Sequence, residues 1–385
     1  MVRTGDPVDV VPAVAAEVEA ASVFVSADFG PYGRLRDQGV ASALQAAGRR
    51  LTGVGSPYAV DPGRVLKQDG TPFRVFSPFY RSWRAHGWPQ PSGAPPTSAK
   101  WIDGAPSDGI PDDPPVHAGL PPAGEAAAAD RLETFLDSLV EEYAARRDDP
   151  AADATTRLSP YLKYGCVHPR QILVRLDRSK SQEKLRSELA WREFYADVLW
   201  HVPGSARQSL QPGLRGMRID TGRRADERFL AWTRGRTGFP IVDAGMRQLL
   251  GEAWVHNRVR MIVASFLVKD LHIDWTRGAH WFLENLVDGD LASNNHGWQW
   301  VAGTGTDPAP YFRIFNPVTQ GKEHDPDGDY VRRWVPELAG VAGAAVHEPW
   351  KLPGGLPQGY PERIVDHAAE RADALSRYSA LKSDR

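Results

Sequence analysis

Between residues 183 and 200 the chain reads EKLRSELAWREFYADVLW, with apolar positions recurring at helical spacing. Leu185, Leu189, Ala196 and Leu199 fall on one face, the stripe of a helix turned towards a core. Glu188, Trp191 and Tyr195, at i, i+3 and i+7, share another face. A carboxylate grouped with two large aromatics suits the border of a cavity. Helical periodicity continues from Ala126 almost to the C-terminus. Its punctuation is clear in Arg157-Leu158-Ser159-Pro160-Tyr161, where serine is placed as the N-cap and proline at the first helical position. That helix runs to Gly165, and another begins near Pro169. The longest apolar run, Met261 to Val268, stops at Lys269 and Asp270 and is too short to span a membrane.

The first 85 residues follow a different pattern. Ser22-Val23-Phe24-Val25 reads as a short strand, with helices over Val10–Ala20 and Val40–Ala47 around it. This is an α/β arrangement. Ten prolines then fall between Pro89 and Pro122, so 86–129 reads as a linker. The expected architecture is a partial, Rossmann-like α/β domain over 1–85, a Pro/Gly-rich linker over 86–129, and an all-helical domain over 130–385. No internal repeat is visible, and 385 residues suffice for two domains.

Composition narrows the picture. The single cysteine, Cys166, excludes a disulfide framework and fits a reducing, cytoplasmic compartment. Asp6 and Asp9 near the N-terminus, with no basic n-region, do not suit a signal peptide. The net charge of −2 hides an asymmetry: 1–153 carries −7, 154–320 carries +7 and 321–385 carries −2. The middle of the chain can therefore offer a basic face to phosphates, although an ordinary solvated surface fits the charge equally well. Of 13 tryptophans, 8 lie from Trp191 to Trp300, a density that suits stacking of a flat ligand or movement of electrons as well as core filling. No G-x-G-x-x-G or Walker A loop occurs. His256, His272, His280 and His296 lie in separate segments without metal-ligand spacing, so no metal is expected.

Four segments are recognisable together: TTRLSPYLKYGCVHPRQIL (155–173), SELAWREFYADVLW (187–200), GRTGFPIVDAGMRQLLGEAWVHNRVRMIVASFLVKDLHIDW (235–275) and DGDLASNNHGWQWVAGTGTDPAPYFRIFNP (288–317). Ordered and colinear over most of 130–340, they resemble the C-terminal flavin domain of the cryptochrome/photolyase family. RVFSPFYRSWR (74–84) resembles the end of the family's α/β domain. The likeness is to the class I branch that repairs cyclobutane pyrimidine dimers. It implies FAD, reduced and anionic in the active form, UV-damaged DNA as partner, and a monomer. By resemblance the cofactor is met by Tyr143, by Thr155, Thr156, Arg157, Leu158 and Ser159, and by Asn257, Arg260, Asp288, Asp290 and Asn294. Hydroxyl and amide donors at a helix start suit a pyrophosphate. A cation such as Arg260 favours an anionic flavin, and a facing Asp288 holds that cation in place. Asn294 is the informative position: a neutral amide there separates this chain from cryptochromes with an acid or a cysteine, and with Glu188 it is expected to be catalytic.

The substrate side follows the same resemblance. Glu188, Trp191, Arg192, Asn257, Arg258, Met261, Trp300 and Arg313 are expected on the lesion and its phosphates, with Trp191 and Trp300 as a stacking pair. Trp298 and Trp275 match the inner two of three electron-transferring tryptophans. The outer one is expected near Asp220 to Gly222, where no tryptophan stands. Two alternatives stay open, a blue-light photoreceptor and a (6-4) photolyase, although Met261 stands where the latter is expected to carry a second histidine. The chain also starts late against the family. No R-x-D-L-R strand is present, Met1–Gly5 reads as the end of a strand, and a strand–helix–strand opening of roughly 30 residues is expected upstream. A folate is not expected, because Gly33, in what reads as a loop over Gly30–Arg34, lacks the side chain to hold one.

Overall fold

Asp6 accepts a hydrogen bond from the Val8 amide and Pro7 takes the first helical position, so α1 (Pro7–Glu17) starts three residues before the expected helix. In the computed structural model, which describes residues 1–93, 95–102, 105–116, 118–307 and 312–383, it is followed by β1 (Ser22–Val25), α2 (Pro31–Ala46), β2 (Arg50–Gly53) and α3 (Phe76–His86). The strands pair in parallel, Ser22 opposite Arg50 through Val25 opposite Gly53. The α1 and α2 helices cover the pair through Ala15, Val40 and Leu44, with Val23 and Leu51 packed against them. The loop expected over Gly30–Arg34 is corrected: Pro31 opens α2 there, and Asp28 caps the approach by accepting from the Gly30 amide at 2.8 Å. Met1–Gly5 forms no strand either. Its backbone runs beside Ser107 and Asp108, exchanging hydrogen bonds at Val2 and Thr4.

The rest is helical, as the periodicity predicts: α4 (Gly124–Ser138), α5 (Tyr143–Arg146), α6 (Ser159–Tyr164), α7 (Pro169–Leu173), α8 (Lys180–His201), α9 (Arg223–Thr233), α10 (Pro240–Glu252), α11 (Asn257–Lys269), α12 (Trp275–Asn285), α13 (Leu291–Ala302), α14 (Pro317–His324), α15 (Asp329–Trp334) and α16 (His367–Ser383). Side-chain caps begin the helices that matter most. Ser179 opens α8, His256 α11, Asp274 α12 and Asp290 α13, each accepting from an amide in the first turn. Ser159 is one residue inside its helix. Leu158 takes the cap position without a side-chain bond, and its carbonyl accepts from the Leu162 amide. None of the helices among the described residues is long and apolar enough to cross a membrane.

Two large cores result. The first gathers α9 to α13 with the C-terminal segments around Trp232, Phe266, Phe282 and Tyr330. Val259, Val263, Phe266 and Leu267 form the inward stripe of α11, each burial being worth roughly 1.5–3 kcal/mol. The second core crosses the proline-rich run: Phe76, Phe79 and Trp83 of α3 pack with Phe135, Tyr161, Leu162 and Phe194. Helix α8, about 33 Å long, ties this assembly together. Its buried Glu193 accepts from the amides of Ala59 and Val60 and from the Trp83 indole at 2.5 Å. Its Asp197 accepts from the Gly63 amide at 2.7 Å. Burial drives the Glu193 carboxyl up to about 7, those three donors working against it.

Candidate active site

The faces of α5, α6, α8, α11, α12 and α13 enclose a cavity of about 500 Å³. That is the size of a site for a large organic ligand, roughly 300–1,000 Å³. One wall is polar. Arg260 donates to the Val255 carbonyl at 2.7 Å and to Asp288 at 2.8 Å. The Asp288 side chain is only 2% exposed, and its second oxygen, Oδ1, has no partner among the described residues. A buried carboxylate oxygen without a partner, on a residue that lines a cavity, suits a ligand donor. Asp290 lines the same wall while capping α13 through the Ser293 amide at 2.7 Å.

Asn294 stands beside it with a fixed orientation. Its amide nitrogen donates to the Ala279 carbonyl at 2.9 Å and to Asn295 Oδ1 at 2.8 Å. A backbone carbonyl only accepts, so the nitrogen must face it and the carbonyl oxygen of Asn294 is what the cavity receives. Tyr143, Thr156, Ser159 and Asn257 line other parts of the cavity. Thr155, Arg157 and Leu158 do not. The Thr155 carbonyl is held by Arg131, Arg157 lies over the Trp254 ring at 4.4 Å, and Leu158 is core. Ser159 accepts from the Trp254 indole at 3.2 Å.

The opposite wall comes from α8. Glu188 and Trp191 face the cavity, as their spacing predicts, with Tyr195 below them. Trp191 is stacked on Phe76, centroids 3.8 Å apart and planes within 9°, so one indole face is backed and rigid. Met261 of α11 and Trp300 of α13 also line the cavity. Glu188 is not isolated: Arg147 approaches it at 2.5 Å and Lys184 at 3.3 Å. Arg258 pairs with Asp148 at 3.0 Å. Burial works to raise the Asp148 carboxyl, but the hydrogen bond and charge of Arg258, with the charge of Arg147, hold it below the usual range. The rim is therefore basic with carboxylates interleaved. Arg192 lies deeper, its guanidinium on the Pro57 and Leu162 carbonyls and over the Tyr58 ring at 4.7 Å.

Sequence reasoning does not single out Arg147, Lys184 or Phe76. The spacing of Tyr143 and Arg147, and of Lys184 and Glu188, at i, i+4 would place each pair on one face. Arg313 lies just outside the cavity, its guanidinium 6.0 Å from the Trp300 centroid. Trp298 lines the cavity and meets Phe282 at 5.2 Å and Trp232 at 6.1 Å, both edge-on. Trp275 stands one helical turn before Gly278, on which the Trp298 ring rests, and its indole donates to Ser209 at 3.2 Å. Asp220, where the outer tryptophan is expected, is held by Arg228 and Arg377. Near it, His272, Glu370 and Asp373 have metal-ligand spacing that no sequence interval showed. Arg228, Arg218 and Arg377 occupy those carboxylates, making the cluster an ion-pair network between α16 and the helical body.

Residues 185–380 match the family described as the FAD binding domain of DNA photolyase, and residues 1–97 the family described as DNA photolyase. A protein of Streptomyces griseus named deoxyribodipyrimidine photo-lyase is 44% identical over 384 residues, covering 97% of this chain and 82% of that one. The chain belongs to the DNA photolyase family. The Escherichia coli member of the same name is 38% identical over 396 residues, covering 97% of this chain and 82% of that one. Among solved structures, a bacterial class III photolyase from Agrobacterium tumefaciens superposes with a TM-score of 0.88 at 37% identity, covering 98% and 83% of the two chains. A Synechocystis cryptochrome superposes at 0.83 with 27% identity, covering 98% and 83%. One fold thus carries proteins named photolyases and one named a cryptochrome, and identity is higher to the former. The matched domain makes FAD the cofactor of this chain.

Proposed function

We infer that this chain splits cyclobutane pyrimidine dimers in DNA by light-driven electron transfer. The observation that carries the reading is one cavity lined by two chemically distinct sets of residues, Arg260, Asp288 and Asn294 in one and Glu188, Trp191, Met261 and Trp300 in the other. When bound, reduced FAD supplies the photoexcited electron that opens the cyclobutane ring and recovers it afterwards, so the enzyme is a lyase with no net redox change.

The protein's own residues have three tasks in this reading. Arg260, steadied by Asp288, would offer positive charge that favours the anionic reduced cofactor, and Asp288 Oδ1, which has no partner among the described residues, would accept from a cofactor donor. The Asn294 carbonyl, its amide nitrogen being taken by Ala279 and Asn295, would accept the N–H that a reduced flavin carries and its oxidised form lacks, without adding negative charge. A lesion flipped from the duplex, at a cost of roughly a few kcal/mol, is received by Trp191 and Trp300, stacking being worth about 1–3 kcal/mol per base. Glu188, held in place as a carboxylate by Arg147 and Lys184, accepts a hydrogen bond from the damaged pyrimidine. Arg258 and Arg313 hold the flanking phosphates.

In this reading residues 1–85 form an antenna-type unit, 86–129 a linker and 130–385 the FAD- and DNA-binding unit. A folate antenna does not fit residue 33, where a Cβ would stand 2.0 Å from the Asp28 carboxyl. The test is irradiation of the reduced protein with a dimer-containing oligonucleotide. Intact pyrimidines are expected to return in the light and not in the dark. An FAD-loaded, reduced protein that leaves the dimer intact refutes the reading.

A further inference from the structure

Lys269, the last residue of α11, is only 2% exposed, and among the described residues no carboxylate forms an ion pair with it. Its ammonium donates to the backbone carbonyl of Arg313 and lies 4.1 Å from the Phe312 ring centroid. Four residues back on the same helix face, Ser265 Oγ accepts from the Phe315 amide at 3.3 Å. Helix α11 thus fastens the 312–315 strap at two points, and between them the strap carries Arg313 over Trp300. A cavity of about 60 Å³ lies under the strap, bounded by Lys269, Ser265, Phe312 and Arg313, with Trp300 dividing it from the large cavity. Phe312 is clamped from the other side by Tyr378 of α16, stacked at 4.4 Å.

Burying an ammonium without a carboxylate is costly, and methionine would fill the same space without that cost. Packing of the Lys269 stem therefore does not account for the charge, and the charge must serve the strap. We propose that Lys269 is a positioning residue for DNA binding: its buried ammonium holds the Arg313 backbone so that the Arg313 guanidinium stays poised at the Trp300 edge of the lesion cavity. This rests on the repair reading and adds to it a residue that touches neither cofactor nor DNA.

The anchor is built to weaken with rising pH. Burial pushes the Lys269 amine down to about 7, the Arg313 charge pushes it the same way, and Asp270 works against them. Asp270 is itself engaged by His367 of α16 at 2.5 Å, and Tyr378 is the other titratable side chain facing this corner from that helix. Below about pH 7 the amine is charged and grips both carbonyl and ring. Above it the neutral amine keeps a weaker hydrogen bond and loses the attraction to the ring.

The experiment measures affinity for dimer-containing duplex from about pH 6 to 8.5 for wild type, Lys269→Met, Lys269→Arg, Arg313→Ala and the Lys269→Met/Arg313→Ala double variant, with bound FAD as the check on folding. Lys269→Met is expected to bind about tenfold more weakly at pH 6 and to lose the pH step. Lys269→Arg, charged throughout, is expected to keep affinity without the step. The double variant is expected to bind no more weakly than Arg313→Ala, because both changes remove one contact. Additive losses would make Lys269 a DNA contact in its own right and overturn the positioning role. Unchanged binding by FAD-loaded Lys269→Met overturns it too. A wild type that does not prefer damaged DNA instead overturns the repair reading beneath it.

Discussion

Gly278 offers a test of how the cavity's inner tryptophan is held. A Cβ built there would stand 2.2 Å from Trp298 Cη2, 2.5 Å from Trp298 Cζ3 and 2.5 Å from Leu267 Cδ2. Carbon atoms in contact sit about 3.5–4.0 Å apart, so in Gly278→Ala the ring must move by about 1.3 Å or more. Neither neighbour can escape to solvent, Trp298 being 3% exposed and Leu267 0%. Overpacking of this kind costs about 1–3 kcal/mol. At about 2–4 °C per kcal/mol, the melting temperature should fall by roughly 2–12 °C. Trp298 also lines the cavity, and its ring rests on the helix that Trp275 opens, so photoreduction of bound oxidised FAD should slow. Thermal melts and light-driven bleaching of the flavin absorbance check both arms. A Gly278→Ala protein that melts and photoreduces like the wild type refutes the packing argument.

Other outcomes follow from the same geometry. Arg260→Leu leaves Asp288 a buried carboxylate without its partner, at a cost of about 3–5 kcal/mol, and should release FAD on gel filtration, whereas retention of one FAD per chain contradicts the role given to that wall. Glu188→Gln should lower the repair yield with FAD retained, and an unchanged yield removes Glu188 from the chemistry. Binding to damaged DNA should weaken steeply with salt, and Arg258→Ala should reduce that slope by about one, which a titration at several salt concentrations reads directly. Burial holds His296 down to about 4, its hydrogen bond to the Ala292 carbonyl working against this. The unfolded chain therefore binds the extra proton first, and stability should drop by about 3 kcal/mol as pH falls from about 6.5 towards 4. A His296→Gln variant should lose that part of the acid dependence in denaturant titrations.

The helical body is legible in the sequence because its signals are local. Caps, prolines and the spacing along α8 are enough to place Glu188 and Trp191 on a cavity-facing side. The α/β unit is half legible: Ser22–Val25 is an apolar run, but β2, RLTG, owes its state to pairing with β1, and pairing leaves no local mark. The family resemblance carries the remaining site residues, and the structure sorts them. Asn257, Arg260, Asp288, Asp290 and Asn294 converge on the cavity, while Thr155, Arg157 and Leu158 turn to neighbours from other segments. What stays hidden depends on long-range approach. Phe76 behind Trp191, Gly278 under Trp298 and the His272–Glu370 contact each join segments whose separation in sequence says nothing about their distance in space.

The bond between Trp83 and Glu193 has a consequence during synthesis. The two partners are 110 residues apart, so at about 5–20 residues per second Trp83 leaves the ribosome roughly 5–20 s before Glu193 exists. Through that interval the apolar face of α3, with Phe76, Phe79 and Trp83, lacks the α8 part of its cover, Leu189, Ala190 and Phe194 among it. The proline-rich stretch emerging next forms neither helix nor strand among its described residues and so supplies no competing one. Translation rate and chaperone supply thus bear on the yield of folded enzyme through α3, and codon changes between residues 84 and 193 should alter that yield without altering the protein.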